Sequence, residues 1–209
     1  MLPFPRVLVL SLMVALGLKL TATAWALDVD AARAHVDTTL DEVFQLVVAN
    51  RPRDETAAAL QRIFERRAAL PELARFAAGP YWRGMSDDRR ARYTQAFSRY
   101  VAFVYAGHFR RFEGDLDDLR SVVHFLRAED AGAKGILLRS EIRTGGPTGF
   151  AVDWLVSDRS GRVAISDLIV EGVSLAITQR EVIAAMLETR QGDIERLIAD
   201  LERRAGEDY

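Results

Sequence analysis

The spacing of apolar residues changes twice along this chain, and this change constrains the fold more than any other feature. Over residues 28–112 apolar side chains recur every three or four positions, as in amphipathic helices. Over 122–170 they alternate with polar ones, as in strands, and over 178–204 the helical spacing returns. Helices followed by consecutive strands and then by helices indicate an α+β fold, with helices covering one face of an antiparallel sheet.

Turn-forming and capping residues set the predicted ends of the elements. The first helix begins at Asp28 and ends before Pro52, because the residue before a proline disfavours helical geometry. Asp54, Ser86 and Asp193 are predicted N-caps. The other predicted helices span 54–67, 71–76, 86–112, 178–189 and 193–204. Four strands are predicted over 122–126, 135–142, 149–156 and 162–170, and their short connections favour an antiparallel meander.

Residues 1–26 have the composition of a secretory signal peptide. They contain an apolar run from Val7 to Leu20, no acidic residue, and the small-residue pattern Ala24-Trp25-Ala26. We therefore predict cleavage after Ala26 and export of the remaining chain. The alternative, an uncleaved anchor helix, needs about 20 apolar residues, and Lys19 interrupts a run that is already shorter.

The remaining residues, 27–209, are predicted to form a single domain. Without Arg6 and Lys19 they carry 26 basic and 30 acidic groups, so no basic excess marks them for nucleic-acid binding. The chain has no cysteine, which excludes disulfides and thiolate metal ligands.

The sequence offers few residues for catalysis. His35, His108 and His124 do not stand at metal-ligand spacing, so no metal site is predicted. Asp153 and Asp167 interrupt apolar strands, and a buried carboxylate needs a fixed partner. A structural role is favoured for both. The open alternative is a small-ligand enzyme of cone-shaped α+β fold that uses one of them with His108.

Gly172-Val173-Ser174 resembles part of the nucleophile elbow of serine hydrolases. It lacks the second glycine of that motif, because Ala176 stands in its place.

Three segments resemble the toluene-tolerance/MlaC family. The first runs from Phe76 through Gly79-Pro80-Tyr81-Trp82-Arg83 to Tyr105, the second is 165–175 with Arg180 after it, and the third is 192–201. Their order and spacing match the family over nearly the whole of 27–209. The tryptophan usual in the last strand is absent, and Gly-Pro stands where Leu-Gly is common.

The resemblance implies a carrier rather than an enzyme. Such a protein would be a periplasmic monomer that holds a glycerophospholipid by its acyl chains and needs no cofactor. Its partners would be an outer-membrane lipoprotein complex and an inner-membrane ABC transporter with MCE domains, and its role would be to maintain outer-membrane lipid asymmetry. A hopanoid-associated relative and an adaptor that binds no lipid are the alternatives.

The lipid cavity is expected between the sheet and the long aromatic helix, where more apolar surface is predicted than a two-layer domain requires. Head groups are expected to remain in water at its mouth, with little selectivity among them. The alternative is that the same residues simply pack as core. The predicted lining residues are Phe97, Tyr100, Val101, Val104, Tyr105, Phe150, Val152 and Trp154.

Overall fold

The computed structural model describes residues 27–107, 116–143 and 149–206. The predicted signal peptide, His108 and the predicted end of the long helix lie outside the described residues. Seven α-helices occur within these ranges. They are α1 (Val29–Val48), α2 (Arg53–Arg67), α3 (Leu70–Ala78), α4 (Asp87–Ala106), α5 (Leu116–Ser121), α6 (Leu175–Glu188) and α7 (Ile194–Arg204).

The strands form one antiparallel sheet in which each strand pairs with the next along the chain. This arrangement confirms the predicted α+β class and the meander. The prediction of four strands is wrong, because a two-residue fifth strand follows a turn at Gly172, where φ is 80°. Two residues are too few to show a period. The strands are β1 (Val123–Asp130), β2 (Ile136–Ile142), β3 (Phe150–Ser157), β4 (Ala164–Val170) and β5 (Val173–Ser174).

Side-chain caps fix the starts of several helices. Asp28, Ser86 and Asp193 accept hydrogen bonds from backbone N–H groups of the first turn. Ser86 and Asp193 are confirmed as the predicted caps, and Asp28 caps the helix that was predicted to begin there. The prediction that Asp54 caps α2 is wrong: the helix begins one residue earlier, after Pro52, and Asp54 lies in its first turn. There its charge still favours the helix N-terminus.

The start predicted for the sixth helix is also wrong. Ser174 accepts from the Ile177 N–H at 3.1 Å, so α6 begins at Leu175 rather than near Thr178. The short helix α5 and a 3₁₀ segment at Gly79–Gly84 escaped prediction as well. One or two turns give too little periodicity to detect.

Four apolar clusters hold the described residues together, and the two largest are here called the sheet core and the helical core. The sheet core joins α1 to one face of the sheet, and the helical core joins α3, α4, α6 and α7. Within the described residues, no helix is long and apolar enough to cross a membrane. Buried members of the sheet core are Ala32, Val36, Ile136, Leu138, Val152, Trp154 and Val156; those of the helical core include Tyr93, Phe97, Val101, Ile183, Leu187, Leu197 and Leu201.

A buried carboxylate joins the last two helices. Asp200 is 2% exposed and forms ion pairs with Arg190, in the connection after α6, and with Arg204 at 3.3 Å. A carboxylate this deeply buried is tolerated because guanidinium groups surround it.

His35 joins α1 to the end of α2. Its Nε2 lies 2.8 Å from the carbonyl oxygen of Arg67, and because a carbonyl only accepts, Nε2 must carry the hydrogen. Burial lowers the pKa of His35 below its ordinary value, outweighing the hydrogen bond to Arg67, which acts in the opposite direction. The folded state therefore favours the neutral ring.

We predict that acidification destabilises the protein partly through His35. A histidine whose pKa is lowered by folding contributes stability above its unfolded pKa of about 6.5, and that contribution is lost as the pH falls below it. His35→Gln keeps a donor but does not titrate, so its melting temperature should fall less than that of the wild type between about pH 7.5 and 5.5. His124→Gln, at an exposed position, is the control. Equal losses in wild type and His35→Gln would rule out this assignment.

Candidate functional site

One face of β3 forms the floor of the candidate site. Val152, Trp154 and Val156 alternate along the strand on this face, as predicted from the period of two, and all three are buried. Leu138 of β2 and Leu168 of β4 lie opposite Trp154, so the apolar face continues across three strands.

Ser140 fixes the indole ring of Trp154 within this apolar face. Its hydroxyl donates to the carbonyl oxygen of Val152 at 2.5 Å and accepts from the Trp154 Nε1–H at 3.0 Å. Ser140 is 1% exposed, so neither bond competes with water. The indole N–H of Trp154 therefore has a hydrogen-bond acceptor while the ring stays on the apolar face.

A single helix supplies the helical side chains of the sheet core. They are Ala32 and Val36, which are buried, and Leu40, all from α1. A helix is about 10 Å wide, whereas the axes of four neighbouring strands span about 14 Å. On the same face of β4, Leu168 and Val170 are only half-buried. The apolar face is therefore less completely covered at β4 than at β2 and β3.

The same side of the sheet ends in exposed apolar residues. Phe150, Val173 and Ile177, here called the apolar rim, are 40%, 57% and 52% exposed. Val173 pairs with Val170, and the Glu171 N–H donates to the carbonyl oxygen of Ala151, which brings the end of β4 beside the start of β3. The apolar face thus extends from the core to the surface.

The predicted lining residues fall into two groups. Phe97 and Val101 are buried in the helical core, and Tyr100 and Tyr105 pack against it half-buried; Val104 is also half-buried. Val152 and Trp154 belong to the sheet core instead, and Phe150 to the apolar rim. Helix α4 packs chiefly against α2, α3 and α7. That the two groups line one cavity stays a prediction.

A polar pair that the sequence analysis missed lies beside the α4 group. Gln179 of α6 donates through Nε2 to the Tyr105 hydroxyl oxygen at 3.4 Å. Burial raises the pKa of Tyr105, and the nearby Tyr100 and Asp167 raise it further, against the effect of the Gln179 hydrogen bond. Once Ser174 is known to start the helix, the helical spacing places Gln179 four residues before the buried Ile183, on the inward face.

Both strand aspartates have structural partners. Asp153 accepts from Arg139 at 2.5 Å. Asp167 accepts from the Ser174 hydroxyl at 2.5 Å and from the Ala176 N–H at 3.0 Å, which fastens the start of α6 to β4. Part of the Gly172-Val173-Ser174 motif is thus the helix cap. Among the described residues, no group of three or more histidine or acidic side chains could hold a metal ion.

The described surface also has a cleft of about 670 Å³ outside these groups. Trp82, Thr94 and Ser98 contribute to its walls, together with residues of α2 and α3. None of the eight predicted lining residues lies in it.

Comparisons with known proteins agree with this architecture. The sequence profile of the family described as MlaC protein matches residues 37–203. Among solved structures, a phospholipid-binding protein from Ralstonia solanacearum, determined in complex with a phospholipid, is similar in fold with a TM-score of 0.64. The two sequences are 19% identical, and the likeness covers 83% of this chain and 96% of that one. No curated protein matches the chain significantly.

We predict that Ser140→Ala destabilises the protein by about 1–3 kcal/mol. The substitution leaves the indole N–H of Trp154 and the carbonyl of Val152 buried with a partner removed, which costs more than the hydrogen bond itself contributes. Urea denaturation of both proteins measures the difference. Ser121→Ala, at an exposed position, should change the free energy of unfolding by less than about 0.5 kcal/mol. A Ser140→Ala protein as stable as this control would contradict the role assigned to Ser140.

Proposed function

Because the chain belongs to the MlaC family, whose profile covers most of its length, we propose that it is a periplasmic carrier of glycerophospholipid. The family match is the observation that carries the proposal. The apolar sheet face, incompletely covered at β4 and continuous with the apolar rim, supports it. The bound phospholipid of the Ralstonia solanacearum protein provides an example of a related fold that holds such a ligand.

The acyl chains supply the driving force for binding. Burial of one methylene contributes about 0.8 kcal/mol, so about thirty methylenes represent roughly 20 kcal/mol relative to water. A carrier whose interior resembles the bilayer makes transfer nearly neutral in free energy. Lipid transfer by such a carrier therefore requires an apolar binding surface, and it does not require a catalytic residue.

We place the acyl chains on the apolar sheet face beyond α1, between β4 and the α4 residues Tyr100, Val104 and Tyr105. The lipid would enter at the apolar rim. This placement uses the half-buried residues Leu168 and Val170, which already face the sheet core and would gain contacts from a bound chain.

The carrier would exchange lipid with an outer-membrane lipoprotein complex and with an inner-membrane ABC transporter that carries MCE domains. This exchange would maintain outer-membrane lipid asymmetry. ATP hydrolysis in the transporter would set the direction. The internal partners of Asp153 and Asp167 favour this reading over an acid/base enzyme, because both carboxylates already serve the fold.

The first test is whether phospholipid stays bound to the protein during purification. The protein should be isolated from a periplasmic fraction without detergent and its extract analysed by mass spectrometry. We expect about one phospholipid per chain. A hopanoid in the extract would support the hopanoid-associated alternative. A folded protein that contains no lipid and acquires none from vesicles would contradict the carrier proposal.

Substitutions at the apolar rim test the proposed entrance. Phe150→Asp and Val173→Asp should each reduce uptake of phospholipid from vesicles several-fold, because a carboxylate there opposes the passage of acyl chains. Both positions are exposed, whereas Val152 is 6% exposed, and Val152→Asp would disturb the sheet core itself.

Leu126→Asp is the matched control, since Leu126 is 63% exposed on β1, away from the rim. Its uptake should equal that of the wild type. Unchanged uptake in both rim variants, with their melting temperatures preserved, would rule out this entrance.

A further inference from the structure

The turn that joins β4 to β5 contains a residue in an unusual backbone conformation. Glu171 has a φ of 50°, in the left-handed region that favours glycine, and Gly172 after it has a φ of 80°. Positive φ at both central residues is typical of a type I′ hairpin turn, where asparagine or aspartate usually stands first. A glutamate keeps this conformation only where its surroundings stabilise it.

Both the backbone and the side chain of Glu171 are bonded to Ala151 of β3. The Glu171 N–H donates to the Ala151 carbonyl oxygen at 2.9 Å, and the Ala151 N–H donates to the Glu171 carboxylate. The register that pairs Val152 with Val170 places Ala151 opposite Glu171, where a regular antiparallel pair exchanges two backbone bonds. The carboxylate therefore accepts the bond that the Glu171 backbone carbonyl would accept in a regular ladder.

This attachment lies between two residues of the apolar rim. Phe150 stands one residue before the attached position of β3, and Val173 follows the turn and pairs with Val170. Residues that pair directly across strands point to the same face, and so do alternate residues along one strand. Phe150, through Val152, and Val173, through Val170, therefore both lie on the apolar face.

Other contacts fix the remaining parts of the rim. Phe150 pairs with Ile142 of β2, and Asp167 fastens the start of α6, and with it Ile177, to β4. Beyond the last pair of β3 and β4, the bonds of Glu171 join the turn that carries Val173 to the strand that carries Phe150.

We propose that Glu171 is a positioning residue for the entrance of the lipid site. Its carboxylate holds Val173 and Phe150 in one continuous apolar surface, which acyl chains meet as they enter. The inference rests on the carrier function and the entrance proposed above, and it adds a polar residue that acts through two apolar ones. Because Glu171 acts on the entrance and not where the chains rest, it sets the rate of lipid transfer rather than the amount bound at equilibrium.

The first experiment compares the uptake rates of two variants. Lipid-free protein is mixed with vesicles of phosphatidylethanolamine and phosphatidylglycerol in equal amounts, and the lipid on the recovered protein is followed over time by mass spectrometry. Glu171→Gly removes the carboxylate and suits a positive φ, so the turn keeps its conformation. Its uptake rate should fall two- to fivefold, since one net hydrogen bond is worth about fivefold in an equilibrium constant. Glu171→Gln retains an acceptor of the same length and should match the wild type.

Gln191→Gly is the matched control for the change of backbone. Gln191 has a φ of 56° and also precedes a glycine, Gly192, with a φ of 78°. It lies beyond the last turn of α6, whereas the apolar rim lies at the start of that helix. Its uptake rate should equal that of the wild type. An equal loss in both glycine variants would assign the effect to the backbone and overturn the proposal.

Two further measurements distinguish positioning from a purely structural role. In a Phe150→Ala background, Glu171→Gly should have little further effect on the rate, because a residue through which it acts is already gone. The lipid bound at equilibrium should stay the same, since uptake and release slow by the same factor. Additive losses in the double-mutant cycle, or a lower occupancy at equilibrium, would overturn the positioning role.

The outcomes also separate this inference from the carrier function. A wild-type rate in Glu171→Gly would overturn the role of Glu171 and leave the carrier proposal intact. Failure of the wild type to take up any lipid would overturn both. If Glu171→Gly does not fold, Glu171→Asn takes its place, because asparagine tolerates a positive φ and has a shorter side chain. A wild-type rate in that variant would then overturn the inference.

Discussion

The structure depends on covering the apolar face of a sheet whose other face carries an ion pair. Asp153 and Arg139 on β3 and β2 make the opposite face polar, so the apolar face must find its cover within the chain. Helix α1 provides that cover over β2 and β3. One helix is too narrow for the whole sheet. Helices α2, α3 and α6 contact β4, yet Leu168 and Val170 remain half-buried there. The carrier proposal supplies an acyl chain at this place.

Polar side chains inside the fold generally have partners that also determine its geometry. Ser140 orients Trp154, Asp167 fastens α6 to β4, and Asp200 joins the last two helices through arginines. Each satisfies a buried group and at the same time fixes how two elements meet. Tyr93, Ser98 and Gln179 depart from this pattern, because each has a buried side-chain oxygen without a hydrogen-bond partner among the described residues.

Much of the fold could be predicted because its signals are local. The change of apolar spacing gave the α+β class, and Asp28, Ser86 and Asp193 marked helix starts through chemistry that acts within one turn. β5 and α5 were missed because they are too short to show a period. The site was harder to predict, since the wide aromatic face of α4 fits several neighbours equally well. The apolar spacing of α4 predicts that Phe97 is buried. It does not predict whether a strand or a helix such as α7 packs against Phe97.

The pairing of α1 with the sheet has a consequence for how the chain folds. Ala32 and Val36 pack against Val152 and Trp154, more than a hundred residues later in the sequence. The contacts that close the sheet core are therefore among the most distant in the chain, and they form only after a large loop has been ordered. Helix α1 is the first described element to be synthesised, yet its sheet-facing half must wait for β2 and β3. Until those strands exist, Ala32 and Val36 have no core to join, whereas Leu46 at the other end of the helix can already pack against Leu60 and Ile63 of α2.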